Sequence, residues 1–289
     1  MSAWVSALRP RQWTKNILVF AAPLGAGRLF EPDILLPSIG AFVAFCLISS
    51  ATYLINDVRD VEADRAHPKK QHRAIASGRL SVGAAVVTAI VLALAAFTLS
   101  WFIQPALAGV VAAYAVITLL YSLVLKHEPV LELALVAMGF LLRAIAGGAA
   151  SDLPISQWFL IVAGFGSLFM AAGKRFSELE RARREGESTT PRRSLAGYTP
   201  GYLRFVWAVS AAVTITAYCL WAFDVAATPS SFPWAQWSVV PFVLAILRYA
   251  IDIDRGEAEA PEDAALGDRV LLLLGVIWVV MFGLGALGL

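Results

Sequence analysis

The string Asn56-Asp57-Val58-Arg59-Asp60-Val61-Glu62-Ala63-Asp64 sets a carboxamide and three aspartates at three- and four-residue steps. On a helix that continues through it, Asn56 or Asp57, Asp60 and Asp64 share one face. Carboxylates facing one way repel each other unless a cation joins them. Hard oxygen ligands suit Mg²⁺, which keeps several waters and shares itself with substrate phosphates. The negative end of the helix dipole falls at the same place and favours a cation further. The expected chemistry is a magnesium-bound diphosphate, with Asn56, Asp57, Asp60 and Asp64 as metal ligands and the three aspartates as the catalytic set. A solvated helix end marking a membrane boundary is the competing reading, and the basic tract that follows weighs against it.

That tract runs His67-Pro68-Lys69-Lys70-Gln71-His72-Arg73-Ala74-Ile75-Ala76-Ser77-Gly78-Arg79. Lys70 and Arg73 are placed to neutralise phosphate oxygens, and Ser77 with Gly78 to turn the chain and offer backbone amides to an anion. Lys15 is a further cation for the leaving group, and His67 and His72 read as loop residues. Arg143 lies within an apolar span, where an arginine is costly unless it faces a cavity or a partner. Glu132 is too many turns away to pair with it on the same helix and reads as an interface residue. Arg143 is therefore expected to serve an anion or a cavity. Tyr198, late in a long charged loop, reads as an interfacial anchor or, by a slight preference, a lid residue, and Cys46 and Cys219 read as packing residues.

The elements that must position these groups are membrane helices. The chain is 59% hydrophobic and 15% charged, whereas a soluble domain is roughly a quarter charged. Nine stretches approach or exceed the length a helix needs to cross the hydrocarbon core: 16–30, 34–56, 82–101, 105–125, 130–150, 157–173, 202–223, 235–250 and 269–288. Pro23, Gly25, Gly27 and Arg28 interrupt the first, which is expected to be tilted or broken. It carries no cleavage signature and reads as a retained membrane segment. Glycines such as Gly139, Gly147, Gly148, Gly164 and Gly166 allow close helix approach. The expectation is one all-α membrane domain over 1–289.

Nearly all of the 23 basic residues fall at the amino terminus or in the loops on one side. By the positive-inside rule that side is cytoplasmic, and nine spans leave the carboxyl terminus outside. Soluble anionic reactants are then met at the cytoplasmic face. Charges gathered at one face argue against a transporter or channel, whose ion path would place them at several span centres. The acidic loop 252–268 is expected to be solvated, and the Arg181 to Arg184 tract to meet lipid head groups. No nucleic-acid partner is expected, and oligomeric state is left open.

The acidic string, followed by a Lys/Arg tract ending in Ile75-Ala76-Ser77-Gly78, resembles the first signature of the UbiA superfamily of intramembrane prenyltransferases. The resemblance extends over the whole chain in span count and topology, with Ala74 departing from the proline that commonly follows the arginine. It implies a helical bundle with a central cytoplasm-facing cavity and a first motif that coordinates Mg²⁺ and the substrate diphosphate. Four further strings resemble the decaprenyl-phosphate phosphoribosyltransferase branch: Arg9-Pro10-Arg11-Gln12-Trp13-Thr14-Lys15-Asn16, Tyr121-Ser122-x-x-x-Lys126, Gly139-Phe140-x-x-Arg143-x-x-Ala146-Gly147-Gly148 and Gly173-Lys174-Arg175-Phe176-x-Glu178-Leu179. That branch implies a plasma-membrane enzyme with phosphoribosyl pyrophosphate (PRPP) as donor and a polyprenyl phosphate as acceptor, making a precursor of cell-wall arabinan. It also implies substrate roles for Tyr121, Lys126, Lys174, Arg175 and Glu178. Aromatic prenyltransferases of the superfamily carry a second aspartate-rich motif where this chain has Lys174-Arg175, and a donor with more phosphates would need those extra cations. The alternative is a prenyltransferase moving a polyprenyl diphosphate onto an aromatic or isoprenoid acceptor.

Overall fold

Long apolar runs leave the backbone no partner but itself, and among the described residues every regular element is helical. The structure is a computed structural model that describes residues 3–68, 70–184, 195, 197–225, 232–258 and 267–287. The helices are α1 (Ala3–Leu8), α2 (Ala21–Gly25), α3 (Pro32–Arg59), α4 (Val61–Ala66), α5 (Val82–Ile103), α6 (Pro105–Leu123), α7 (Leu131–Ala150), α8 (Gln157–Arg184), α9 (Pro200–Val225), α10 (Trp234–Trp237), α11 (Val239–Asp254) and α12 (Arg269–Ala286). Local chemistry sets several ends. Pro32 and Pro105 open α3 and α6, where a missing N–H costs nothing. The Ser81 hydroxyl accepts from Ala84 N at 3.2 Å to start α5, and the Asp268 carboxylate accepts from Val270 N at 2.8 Å to start α12.

Eight of the nine expected spans are helices long and apolar enough to cross a bilayer, among the described residues, with α10 and α11 together making one. The first differs. Residues Pro10–Phe20 form a 3₁₀ helix and only Ala21–Gly25 continue as α. Beyond them Gly27 adopts φ +70°, and a Cβ there would lie 1.9 Å from the Ala286 carbonyl oxygen.

The chain divides into two compact units, and α7 contributes its first half to one and its second half to the other. The first unit comprises Met1–Pro23, Leu29–Leu123 and Leu142–Pro154. In it the 3₁₀ segment runs antiparallel to α3: Trp13 Nε1 meets Ser50 Oγ at 3.0 Å, Asn16 Nδ2 meets Cys46 Sγ at 3.3 Å, and the Phe20 ring stacks on Phe42 at 5.8 Å. Its core gathers Val19, Phe45, Leu107, Val111, Tyr114 and Leu142. Gly147 of α7 is part of this close packing, since a Cβ there would lie 2.0 Å from the Val19 carbonyl oxygen. The second unit comprises Leu24–Arg28, Val124–Leu141 and Ile155–Leu289. Its core joins Leu133, Phe169, Phe176, Leu203, Tyr249 and Ile253. Helix α12 buries none of its side chains fully, and its exposed Leu273, Val276 and Val280 form a surface suited to hydrocarbon.

Candidate functional site

The acidic string does not form one continuous helix. Helix α3 ends at Arg59, Asp60 adopts φ −87° and ψ 9°, and α4 restarts at Val61. Helical spacing persists across the break, with Asp60 N bonded to Asn56 O at 3.0 Å and Asp64 N to Asp60 O at 2.8 Å, and Asn56 Nδ2 donates to Asp60 Oδ2 at 3.3 Å. Asp57 and Asp64 are both buried, and they converge on a single guanidinium nitrogen. Arg73 Nη1 donates to Asp57 Oδ1 at 3.1 Å and to Asp64 Oδ2 at 2.6 Å. Lys70 Nζ lies 4.0 Å from Asp64 Oδ1, and Arg9 Nη2 donates to Asp57 Oδ1 at 2.6 Å.

An apolar anchor brings Arg73 back over the aspartates. Ala74, Ile75 and Leu80 are buried with Ala7, Leu54 and Ala85, so the basic tract folds onto the outside of α3 and α5. The expected anion-binding amides are spent on the turn itself, with Ser77 N donating to Arg73 O at 2.9 Å and Gly78 N to Ile75 O at 3.1 Å. His67 and His72 are exposed, as loop residues should be. Arg59, between the aspartates, donates to the Ser122 carbonyl and to that of Leu123 at 2.7 Å. It thereby satisfies the last carbonyls of α6, beside half-buried Tyr121. Lys15 lies half-buried on the 3₁₀ helix.

Among the described residues no group of three or more His, Cys, Asp and Glu side chains forms a metal cage. The donor set fits Mg²⁺ in another way. Mg²⁺ is usually held by one or two carboxylates while waters and substrate phosphates complete its shell. Two buried carboxylates already sharing one positive centre are arranged for that.

Arg143 is buried in the first unit at 6% exposure. Its Nε donates to Asn16 Oδ1 at 2.8 Å and its Nη2 to the Tyr114 hydroxyl at 2.6 Å, with the guanidinium 4.6 Å from the Tyr114 ring centre. The span arginine thus has partners from α6 and the 3₁₀ segment, and these two are neutral.

In the second unit Arg175 is held by two carboxylates. Its Nε donates to Glu132 Oε1 at 2.8 Å, its Nη2 also contacts that oxygen, and its Nη1 donates to Glu178 Oε2 at 2.5 Å. Glu132 is 1% exposed, so the residue expected at an interface is a buried anion. The Tyr198 hydroxyl donates to Glu132 Oε2 at 3.5 Å and accepts from Val130 N at 3.0 Å. Val130 has φ 70°, a left-handed conformation strained for a β-branched residue. Burial pushes the Tyr198 phenol up to about 12; the Val130 N–H opposes that shift and the nearby Glu132 charge reinforces it. Tyr198 therefore stays a neutral donor. Lys174, next to Arg175, is half-buried, as is Lys126 on the short 3₁₀ turn Leu125–His127.

Sequence reasoning missed Arg9, Asn16, Arg59, Tyr114 and Glu132 as parts of these clusters. Arg9 and Asn16 stood at the two ends of the string that carried the branch resemblance, which was the one available signal for them. Glu132 and Arg175 are 43 residues apart, and no spacing rule joins them.

Long apolar helices, with buried aspartates and guanidiniums clustered at the end of the first of them, define a polytopic helical membrane protein. Residues 17–274 match the model of the UbiA prenyltransferase family. The chain belongs to that family. It is 48% identical to a protein of Mycolicibacterium smegmatis named decaprenyl-phosphate phosphoribosyltransferase, over 98% of this chain and 92% of that one. A Corynebacterium glutamicum protein of the same name is 49% identical over 95% of this chain and 84% of its own. The fold is that of the solved UbiA homolog from Archaeoglobus fulgidus bound to DMAPP and Mg²⁺, with a TM-score of 0.72 at 18% identity and 99% of each chain covered.

Proposed function

We propose that this chain is a single membrane catalytic domain that transfers the 5-phosphoribosyl group of PRPP to a polyprenyl phosphate and releases diphosphate. The observation that carries the reading is the convergence of buried Asp57 and Asp64 on one guanidinium nitrogen of Arg73. Two buried anions that share a cationic centre are poised to share a metal with a phosphorylated ligand. The names of relatives at 48% and 49% identity support the donor and the acceptor, and the Mg²⁺ of the Archaeoglobus fulgidus structure supports the metal.

Asp57 and Asp64, with Asn56 and Asp60 beside them, would hold the metal and, through it, the donor diphosphate. Mg²⁺ would neutralise the charge that develops on the leaving diphosphate. Lys70 and Arg73 contact its oxygens, and Lys15 adds positive field from the 3₁₀ helix. An oxygen of the lipid phosphate attacks the anomeric carbon as the bond to diphosphate breaks, and diphosphate leaves with the electron pair. A phosphate monoester is already anionic near neutral pH, so no general base is required. Arg143, Tyr121, Lys126 and Lys174 are assigned to substrate phosphates. Arg175, Glu178 and Tyr198 act by fixing the segment that carries Lys174. The distribution of basic loops supports a plasma-membrane enzyme whose site faces the cytoplasm.

Detergent-solubilised protein incubated with labelled PRPP, polyprenyl phosphate and Mg²⁺ should yield a labelled lipid and free diphosphate. Consumption of a prenyl diphosphate, with no label passing from PRPP to lipid, would replace this reading with that of a prenyltransferase.

A further inference from the structure

Arg9 belongs to none of the roles assigned above, yet its placement is tightly specified. It adopts φ 53° and ψ 58°, a left-handed conformation that a residue with a Cβ rarely takes. It also precedes Pro10, which disfavours helical conformations at the preceding position. Contacts on both sides impose it. The Leu8 carbonyl accepts from the Ser50 hydroxyl at 2.9 Å, and the Arg9 carbonyl accepts from Gln12 N at 2.8 Å. The result projects the guanidinium over the Tyr53 ring at 4.9 Å and onto Asp57 Oδ1 at 2.6 Å. That oxygen also receives Arg73, so two guanidiniums crowd one oxygen of a proposed metal ligand.

From this geometry we infer that Arg9 is a further diphosphate-binding residue that exchanges partners: it holds Asp57 before the metal arrives and turns its N–H groups to the diphosphate once the metal has taken that carboxylate. The inference rests on the assignment of Asp57 to a metal-bound diphosphate. A guanidinium on Asp57 Oδ1 and a divalent cation on the same oxygen compete for it, and with Arg73 already there the Arg9 ion pair must loosen for the bare metal to bind. Once the metal carries a diphosphate, the displaced guanidinium has phosphate oxygens within reach and gains a charge-assisted, two-pronged contact in exchange. The ion pair thus opposes the bare metal and supports the metal with its substrate.

The exchange predicts effects of opposite sign from one substitution. In Arg9→Ala and Arg9→Gln, Mn²⁺ alone, followed by loss of the free-ion paramagnetic resonance signal, should bind about tenfold more tightly than to the wild type. Inorganic diphosphate, followed by equilibrium dialysis against the Mn²⁺-saturated protein, should bind about tenfold more weakly. Arg9→Lys, which keeps the charge but not the two-pronged geometry, should fall between the wild type and Arg9→Ala in both, and Arg11→Ala should match the wild type. A purely structural Arg9 would weaken both affinities together, and that result, or no change in either, overturns the exchange. Wild-type protein that binds Mn²⁺ and diphosphate but forms no labelled lipid from PRPP removes the donor assignment and leaves the exchange to be judged by the same two affinities. Wild-type protein that binds no Mn²⁺ at all overturns both.

Discussion

Asp57 and Asp64 are buried carboxylates, and one guanidinium nitrogen of Arg73 donates to both. Removing it leaves Asp57 to Arg9 and Asp64 to Lys70 at 4.0 Å. A charge-assisted hydrogen bond of this kind contributes about 1.5–3 kcal/mol. Arg73→Ala should therefore destabilise the metal-free protein by an amount of that order, read as a lowered melting transition. Activity should fall at least about tenfold, since the phosphate contact proposed for Arg73 is lost as well. The informative measurement is the melt of the variant with Mg²⁺ alone added. A cation shared by the two carboxylates replaces the charge that Arg73 supplied, so the metal should stabilise Arg73→Ala more than the wild type. Equal stabilisation of the two proteins would mean that Asp57 and Asp64 do not share the metal.

At the scale of elements, the two clusters depend on breaks and pairings that local sequence does not announce. The long helices were legible because about twenty consecutive apolar residues have few other folds open to them in a bilayer. Their starts were legible to within two residues, with spans expected from 34, 82, 105, 157 and 269 beginning at Pro32, Val82, Pro105, Gln157 and Arg269, whereas α8 runs on to Arg184, past the expected end at 173. Helix periodicity instead put Asp57, Asp60 and Asp64 on one unbroken face, whereas α3 stops at Arg59 and its guanidinium closes off the end of α6. Arg59, the last residue of α3, bonds carbonyls 63 and 64 residues away, contacts that no local pattern announces. The same holds for Arg175: sequence reading took it as surplus positive charge, but Glu132 and Glu178 neutralise it in place. Glu132 is fully enclosed, so Arg175→Met should cost about 3–5 kcal/mol by leaving an uncompensated buried anion. Glu132→Gln combined with Arg175→Met should recover most of that loss. A double-mutant cycle read by thermal melts in detergent checks it, and additive losses would show that the pair is not coupled.

For the whole molecule the open quantity is the path of the first segment through the membrane. Its eleven 3₁₀ residues rise about 2.0 Å each, and five α-helical residues add about 1.5 Å each. Together they come close to the roughly 30 Å of a hydrocarbon core with far fewer residues than an α-helix needs. Within the first unit this segment starts beside Asp57, through Arg9, and reaches Phe42 of α3 by Phe20. It therefore runs against α3 and should deliver Phe30 to the opposite membrane face from Ser6. The proposed orientation, drawn from the basic loops, puts Ser6 and His72 with the cytoplasmic charges and Phe30 and Ser156 on the outer side. All four positions are exposed, whereas Cys46 is buried and Cys219 partly so. In intact cells a membrane-impermeant maleimide should label Phe30→Cys and Ser156→Cys and spare Ser6→Cys and His72→Cys. Lysis should expose the latter pair. Labelling of Ser6→Cys together with Phe30→Cys in intact cells would mean that the segment returns to the face it left, and labelling of His72→Cys in intact cells would invert the side on which Asp57 meets its substrate.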